Sequence, residues 1–317
     1  MLDLSGVHVP LVTPFDATTG ELDPVALRAN IRSLLEHGVR GVLVAGSTGE
    51  AVYLDERERR LLIEGARSVV TGDRLLLAGV GAESTRATLR LARAAAAAGA
   101  DAVLVMPPAF YRAAMTPEAL RLHYTAVADA TPVPVVIYQV PSQLATIELQ
   151  AGLIAELARH GNVIGIKDSR GSLALLGELL GACPAHFQLL VGSGALLYGA
   201  LEMGARGGIM ASAHLAPGAS VVLERAFRAG RVAEAGRMQE RVGPLHTEIV
   251  ARLGVPGIKL ALDLLGLRGG PPRPPMRPLA AKHREPVRAT LVRAGLLAPE
   301  GEERAAARGP SGRPGSD

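Results

Sequence analysis

His37-Gly38-Val39-Arg40-Gly41-Val42-Leu43-Val44 decides how this chain is read, because a glycine closes one element and an apolar, β-branched run opens the next. Glycine is the residue expected at the left-handed position that ends a helix. A short apolar run bounded by such a signal reads as a strand buried on both faces. The device returns in Ala98-Gly99-Ala100-Asp101-Ala102-Val103-Leu104-Val105 and in His160-Gly161-Asn162-Val163-Ile164-Gly165-Ile166-Lys167. The three glycines stand 61 and 62 residues apart, two strand–helix units per step. Met203-Gly204-Ala205-Arg206-Gly207-Gly208-Ile209-Met210 repeats it after a shorter interval.

Eight apolar segments qualify as strands: Val7–Val12, Gly41–Ala45, Leu75–Ala78, Ala102–Met106, Pro134–Tyr138, Val163–Lys167, Gln188–Val191 and Gly207–Met210. Nearly all are separated by stretches of helical length and pattern, such as Pro24–Glu36, Glu56–Val70 and Ser84–Ala98. Alternating strands and helices imply a parallel sheet, and eight units point to a closed α/β barrel of the (β/α)8 TIM type. An open doubly wound sheet shares the period, but the chain has no dinucleotide fingerprint; Gly79-Val80-Gly81 lacks its remaining glycine. The barrel is expected over residues 1–215. Helical segments over Gly218–Ala229, Arg231–Leu253, Gly257–Leu265 and Pro286–Ala294 are expected to form a C-terminal helical extension, residues 216–298. Residues 299–317, rich in Glu, Arg, Ala, Gly and Pro, read as a disordered tail.

With 317 residues, 48% of them hydrophobic and 20% charged, the chain has the makeup of a globular protein. A formal charge of +4 favours anionic small molecules, whereas scattered arginines, 3% aromatics and no Trp disfavour nucleic acid. No apolar run reaches membrane-span length, and Met1-Leu2-Asp3-Leu4-Ser5 resembles neither a signal nor a transit peptide, so a cytoplasmic protein is expected. Cys183, the single cysteine, excludes an internal disulfide. The eight histidines show no close ligand spacing, so no metal is expected, and no cofactor.

Barrel active sites form at the C-terminal ends of the strands. Strand 2 ends in Gly46-Ser47-Thr48-Gly49-Glu50, strand 5 in Tyr138-Gln139-Val140-Pro141, strand 6 in Lys167 and strand 7 in Gly192-Ser193-Gly194. Lys167 is one of three lysines in a chain whose positive charge is otherwise arginine. Arginine stays protonated, so a lysine at this place suggests use of a free amine. An amine, a phenol, two hydroxyls and glycine-rich loops of N–H donors are the inventory for carbonyl chemistry through an imine on a 2-oxo acid. Each part has a structural alternative. Lys167 could pair with Asp168, Ser47 or Thr48 could cap a helix, Tyr138 could be a packed aromatic, and Glu50 could complement a helix N-terminus. Gly192–Gly194 could form an anion site.

Three motifs together, Gly46–Glu50, Tyr138–Pro141 and Ile164–Asp168, resemble the Schiff-base, pyruvate-dependent aldolase family of dihydrodipicolinate synthase and N-acetylneuraminate lyase, with the likeness running from Pro10 to about Leu297. The resemblance implies that Lys167 forms the imine, Tyr138 acts as acid and base, Ser47 relays its proton and Thr48 beside Gly49 binds the pyruvyl carboxylate. It implies that Ile209 presents a carbonyl beside the lysine, and that a second tyrosine reaches the site from a partner copy. Tyr111 takes that role in one register and Phe110 in another. A homo-oligomer is thereby expected, a dimer or a dimer of dimers. The family's synthases carry an arginine where this chain has Gln143. Further segments resemble 4-hydroxy-2-oxoglutarate aldolase, among them Lys167-Asp168-Ser169, Val191–Gly194 and Gly254–Lys259. Cleavage of 4-hydroxy-2-oxoglutarate to pyruvate and glyoxylate is therefore the leading expectation, with Ser169, Gln143, Gly192 and Ser193 around the remainder of the substrate. The alternatives are 4-hydroxy-tetrahydrodipicolinate synthase, joining pyruvate to aspartate semialdehyde, another lyase or dehydratase of the family, and a non-catalytic barrel that only binds 2-oxo acids.

Overall fold

The computed structural model describes residues 1–141, 143–144 and 147–299. The tail expected from residue 299 thus falls, apart from its first residue, outside them. Strands β1 (Gly6–Pro10), β2 (Gly41–Val44), β3 (Leu75–Gly79), β4 (Ala102–Val105), β5 (Val135–Gln139), β6 (Val163–Asp168), β7 (Gln188–Val191) and β8 (Gly207–Ile209) form a closed parallel barrel in sequence order, with β8 paired back to β1. All eight expected strands are present, displaced by no more than two residues at either end.

Helices α1 (Pro24–Glu36), α2 (Glu56–Arg67), α3 (Thr85–Ala97), α4 (Pro117–Ala130), α5 (Ala151–Leu157), α6 (Leu173–Ala182) and α7 (Leu197–Met203) alternate with the strands. After β8 come α8 (Ser212–Leu215), α9 (Pro217–Arg228), α10 (Val232–Pro244), a π-helical turn over Leu245–Ala251, α11 (Arg252–Leu264) and α12 (Arg284–Arg293). Helix starts follow local chemistry. The Asp23 side chain accepts the amides of Val25 and Ala26 ahead of Pro24, and Asp55 and Glu58 form a reciprocal capping box. Gly38, Gly99 and Gly204 end helices at positive φ, as the repeat requires, but Gly161 does not: α5 ends at Leu157 and an intervening turn carries the chain into β6.

Leu43, Leu77, Leu104, Val136, Ile164 and Leu190 fill the barrel interior, and a larger apolar layer lies between strands and outer helices. Helix α9 packs on β1 and α7, closing the outer ring. A third cluster joins Val12, Ala211 and Leu215 to Leu245, Ile249, Ile258 and Leu262, which seats the C-terminal helices on the barrel. The single helix expected over Arg231–Leu253 is divided. Pro244 ends α10 and the hydrogen-bond spacing widens into the π turn. Gly254, at φ 63° and ψ −152°, then kinks the chain within α11. Among the described residues no helix is long and apolar enough to cross a membrane.

Candidate active site

β5 and β6 pair in parallel with Tyr138 opposite Lys167, so both side chains point into the barrel at the same height. The Lys167 Nζ lies 4.4 Å from the centre of the Tyr138 ring, and the two residues are each 5% exposed. Among the described residues the amine makes no hydrogen bond and no ion pair. Asp168 does not hold it: successive strand residues face opposite sides, and the Asp168 carboxylate is taken by Arg170, whose Nη2 lies 2.6 Å from Oδ2 and whose own amide donates to Oδ1 at 2.9 Å. Glu148 adds a second contact to Arg170 at 3.2 Å.

Lys167 opens into a cavity of about 750 Å³ at the C-terminal ends of the strands. Ser47, Thr48, Tyr138, Gln143, Lys167, Ser169, Gly192 and Ile209 all line it. Gly49 and Ser193 stand behind the lining; Gly49 is bound through its carbonyl to the Thr13 hydroxyl at 2.6 Å, and Ser193 is buried at the start of a 3₁₀ turn. Phe110 and Tyr111 stack edge to face at 5.1 Å, both project outward, 78% and 73% exposed, and neither lines the cavity of this chain.

The loop after β2 is built under strain. Ala45 and Glu50 have φ of 51° and 57°, unusual for residues with a Cβ. The amides of Gly49, Glu50 and Ala51 bond back to Gly46 and Ser47 carbonyls, whereas those of Ser47 and Thr48 make no such bond among the described residues. Two N–H donors and two hydroxyls therefore remain for a carboxylate. No hydrogen bond joins Ser47 to Tyr138; catalytic contacts are often long before substrate binds. At Gly192 a Cβ would stand 1.8 Å from the Ser169 hydroxyl, so only glycine lets the ends of β6 and β7 come this close.

Sequence reasoning missed three parts of the site. Arg170, two residues beyond the strand end, lines the cavity, as does Glu83, whose Oε2 accepts the amides of Ala109 and Phe110 at 2.9 and 2.8 Å. A whole wall comes from the π turn and α11, including His246, Val250, Val255 and Pro256. Glu50 is also more than a helix-end charge: it is buried and pairs with Lys259 at 2.6 Å. Among the described residues no three His, Cys, Asp or Glu side chains cluster as metal ligands.

The sequence matches the dihydrodipicolinate synthetase family over residues 3–294. It is 33% identical to the 4-hydroxy-tetrahydrodipicolinate synthase of Methanopyrus kandleri over 299 residues, covering 94% of this chain and 98% of that one. It is 36% identical to a probable mitochondrial 4-hydroxy-2-oxoglutarate aldolase of Emericella nidulans, over 85% of this chain and 88% of the other. The fold superposes on the chloride-inhibited dihydrodipicolinate synthase of Acinetobacter baumannii complexed with pyruvate, with a TM-score of 0.88 at 30% identity, covering 93% and 100% of the two chains.

Proposed function

The chain belongs to the dihydrodipicolinate synthetase family, and from that premise we propose that it is a lyase that works on pyruvate through an imine at Lys167. The observation carrying this reading is the buried amine that has no hydrogen-bond or ion-pair partner among the described residues, held over the Tyr138 ring in a cavity. The Lys167 nitrogen attacks the C2 ketone, water leaves, and the iminium takes up the electrons of a C3–H bond to give an enamine as that proton passes to water. Ser47 and Thr48 amides and hydroxyls hold the carboxylate, Tyr138 passes protons at the oxygen of the second carbonyl, and Ser47 relays them. In the synthetic direction the enamine C3 bonds to an aldehyde carbon and Tyr138 protonates the new alkoxide. In the cleaving direction Tyr138 takes the C4 hydroxyl proton and the C3–C4 electrons return to the iminium. Tyr111 is the residue we assign to a partner copy, in a dimer or dimer of dimers.

The relatives named as synthases support aspartate semialdehyde as the second substrate, which makes condensation to the tetrahydrodipicolinate precursor the first reading. One observation favours a second, cleavage of 4-hydroxy-2-oxoglutarate: Gln143 lines the cavity where an arginine is expected in the synthases. Borohydride reduction with pyruvate, followed by peptide mapping, should add mass to the Lys167 peptide alone; an unmodified Lys167 ends the proposal and leaves a binding barrel. Product analysis with aspartate semialdehyde and with glyoxylate as acceptors separates the two readings.

A further inference from the structure

One wall of the cavity is supplied from outside the barrel, by the π turn and the kinked start of α11. His246, Val250, Ala251, Gly254, Val255 and Pro256 face the cavity from it. Every member of that wall except His246 is apolar or glycine. The π turn begins right after Pro244, and π turns inside helices recur at functional sites because the wider spacing re-aims side chains.

The His246 ring is half-buried, with Nδ1 covered and without a hydrogen-bond partner among the described residues. A covered N–H with no acceptor is rarer and costlier than a covered lone pair, so the proton belongs on Nε2 and the bare lone pair on Nδ1. Burial pushes the imidazole pKa down to about 4, so the ring is neutral near pH 7. A neutral donor is therefore set into an otherwise apolar wall, with no acceptor for its hydrogen bond among the described residues.

The pyruvyl unit, anchored at the ends of β2, β5 and β6, is three carbons long and fills a minor part of a cavity of about 750 Å³. We propose that His246 is a specificity residue for the second substrate, its Nε2–H donating a hydrogen bond to an oxygen of the ligand beyond the pyruvyl carbons. This rests on the pyruvate reading above. A polar ligand pressed on an apolar wall would lose its water without replacement, and the imidazole N–H offers that replacement without adding charge.

The test measures two things on the full chain, borohydride trapping with pyruvate and KM for the second substrate in the condensing direction, either aspartate semialdehyde or glyoxylate. For His246→Leu, trapping at Lys167 should persist while second-substrate KM rises about tenfold or more. For His246→Asn, which keeps an N–H donor, KM should return to within about threefold of the parent. A His246→Leu enzyme with unchanged KM overturns the inference, as does a folded, trapping His246→Asn enzyme as impaired as His246→Leu. If His246→Leu does not fold, His246→Phe takes its place under the same criteria. Parent protein that fails to trap pyruvate at all refutes the pyruvate reading instead, so the two failures are distinct.

Discussion

Two of the three lysines lie inside the protein, and they are kept there on opposite terms. Lys259, 1% exposed in α11, meets Glu50 at 2.6 Å, donates to the carbonyls of Thr13 and Pro271 at 2.9 and 2.7 Å, and lies 4.6 Å from the Phe15 ring centre. Lys167, 5% exposed at the end of β6, has only the Tyr138 ring as a partner among the described residues. A buried ammonium needs matching charge and acceptors. Lys259 has both, and so fastens α11 to the strained loop after β2. Among the described residues Lys167 has neither, which suits the imine-forming role proposed for it. Burial alone does not mark a reactive lysine; it is burial at the mouth of a cavity, without such partners among the described residues, that supports the role proposed for Lys167.

The comparison breaks most readily at Lys167. Replacing it with Ala should lower kcat on the order of 10⁴-fold while thermal stability nearly holds, because the folded state loses the contact with the Tyr138 ring but no ion pair or hydrogen bond among the described residues; steady-state assay beside a melting curve checks both. Lys259→Met should do the reverse, removing about 3–5 kcal/mol of stability by stranding the Glu50 carboxylate. In urea unfolding, the double variant Lys259→Met/Glu50→Gln should recover part of that loss. If Lys259→Met unfolds at the parent's urea concentration, the pair is not the tie described here. Tyr138→Phe keeps the ring beside Lys167 and removes the phenol, so kcat should fall on the order of 10²-fold with imine trapping retained.

The smallest effect concerns groups that are buried without partners and uncharged. His214 is 1% exposed, both ring nitrogens lack partners among the described residues, and burial lowers its pKa to about 3 from 6.5. Its folded pKa lies below the unfolded value, so the unfolded chain takes up the proton first. Stability is then full above about pH 6.5 and falls with acidification toward pH 3, by at most about 1.4 kcal/mol per pH unit for this group. His214→Phe should flatten that slope in unfolding measured between pH 7 and 4. An unchanged slope would mean that His214 does not titrate on unfolding in that range.

The barrel was legible because its signals are local. A glycine at a helix end, a buried apolar run and a capping acid each act within a few residues, and Gly38, Gly99 and Gly204 do what the repeat implies. At Gly161 the same letters end no helix, because α5 has already ended at Leu157 and a hydrogen-bonded turn through His160 carries the chain into β6. The cavity wall was hidden for a different reason. His246 is separated from Lys167 by 79 positions, and no periodicity in a helical segment announces which face will be laid over a barrel mouth. Likewise Glu50 carries no mark of its partner, because Lys259 lies 209 residues away.

By itself the sequence determined eight strands, their order in a barrel, and the delivery of Lys167, Tyr138, Ser47 and Thr48 to one end of it, since strand period and helix punctuation are short-range constraints. Only the tertiary structure decided which lysine is tied down and which has no such tie among the described residues, that Arg170 takes the carboxylate of Asp168, and that a π turn from the C-terminal helices walls the cavity. Those outcomes depend on which distant surfaces pack together, and packing distributes charge partners and cavity space that no local pattern encodes.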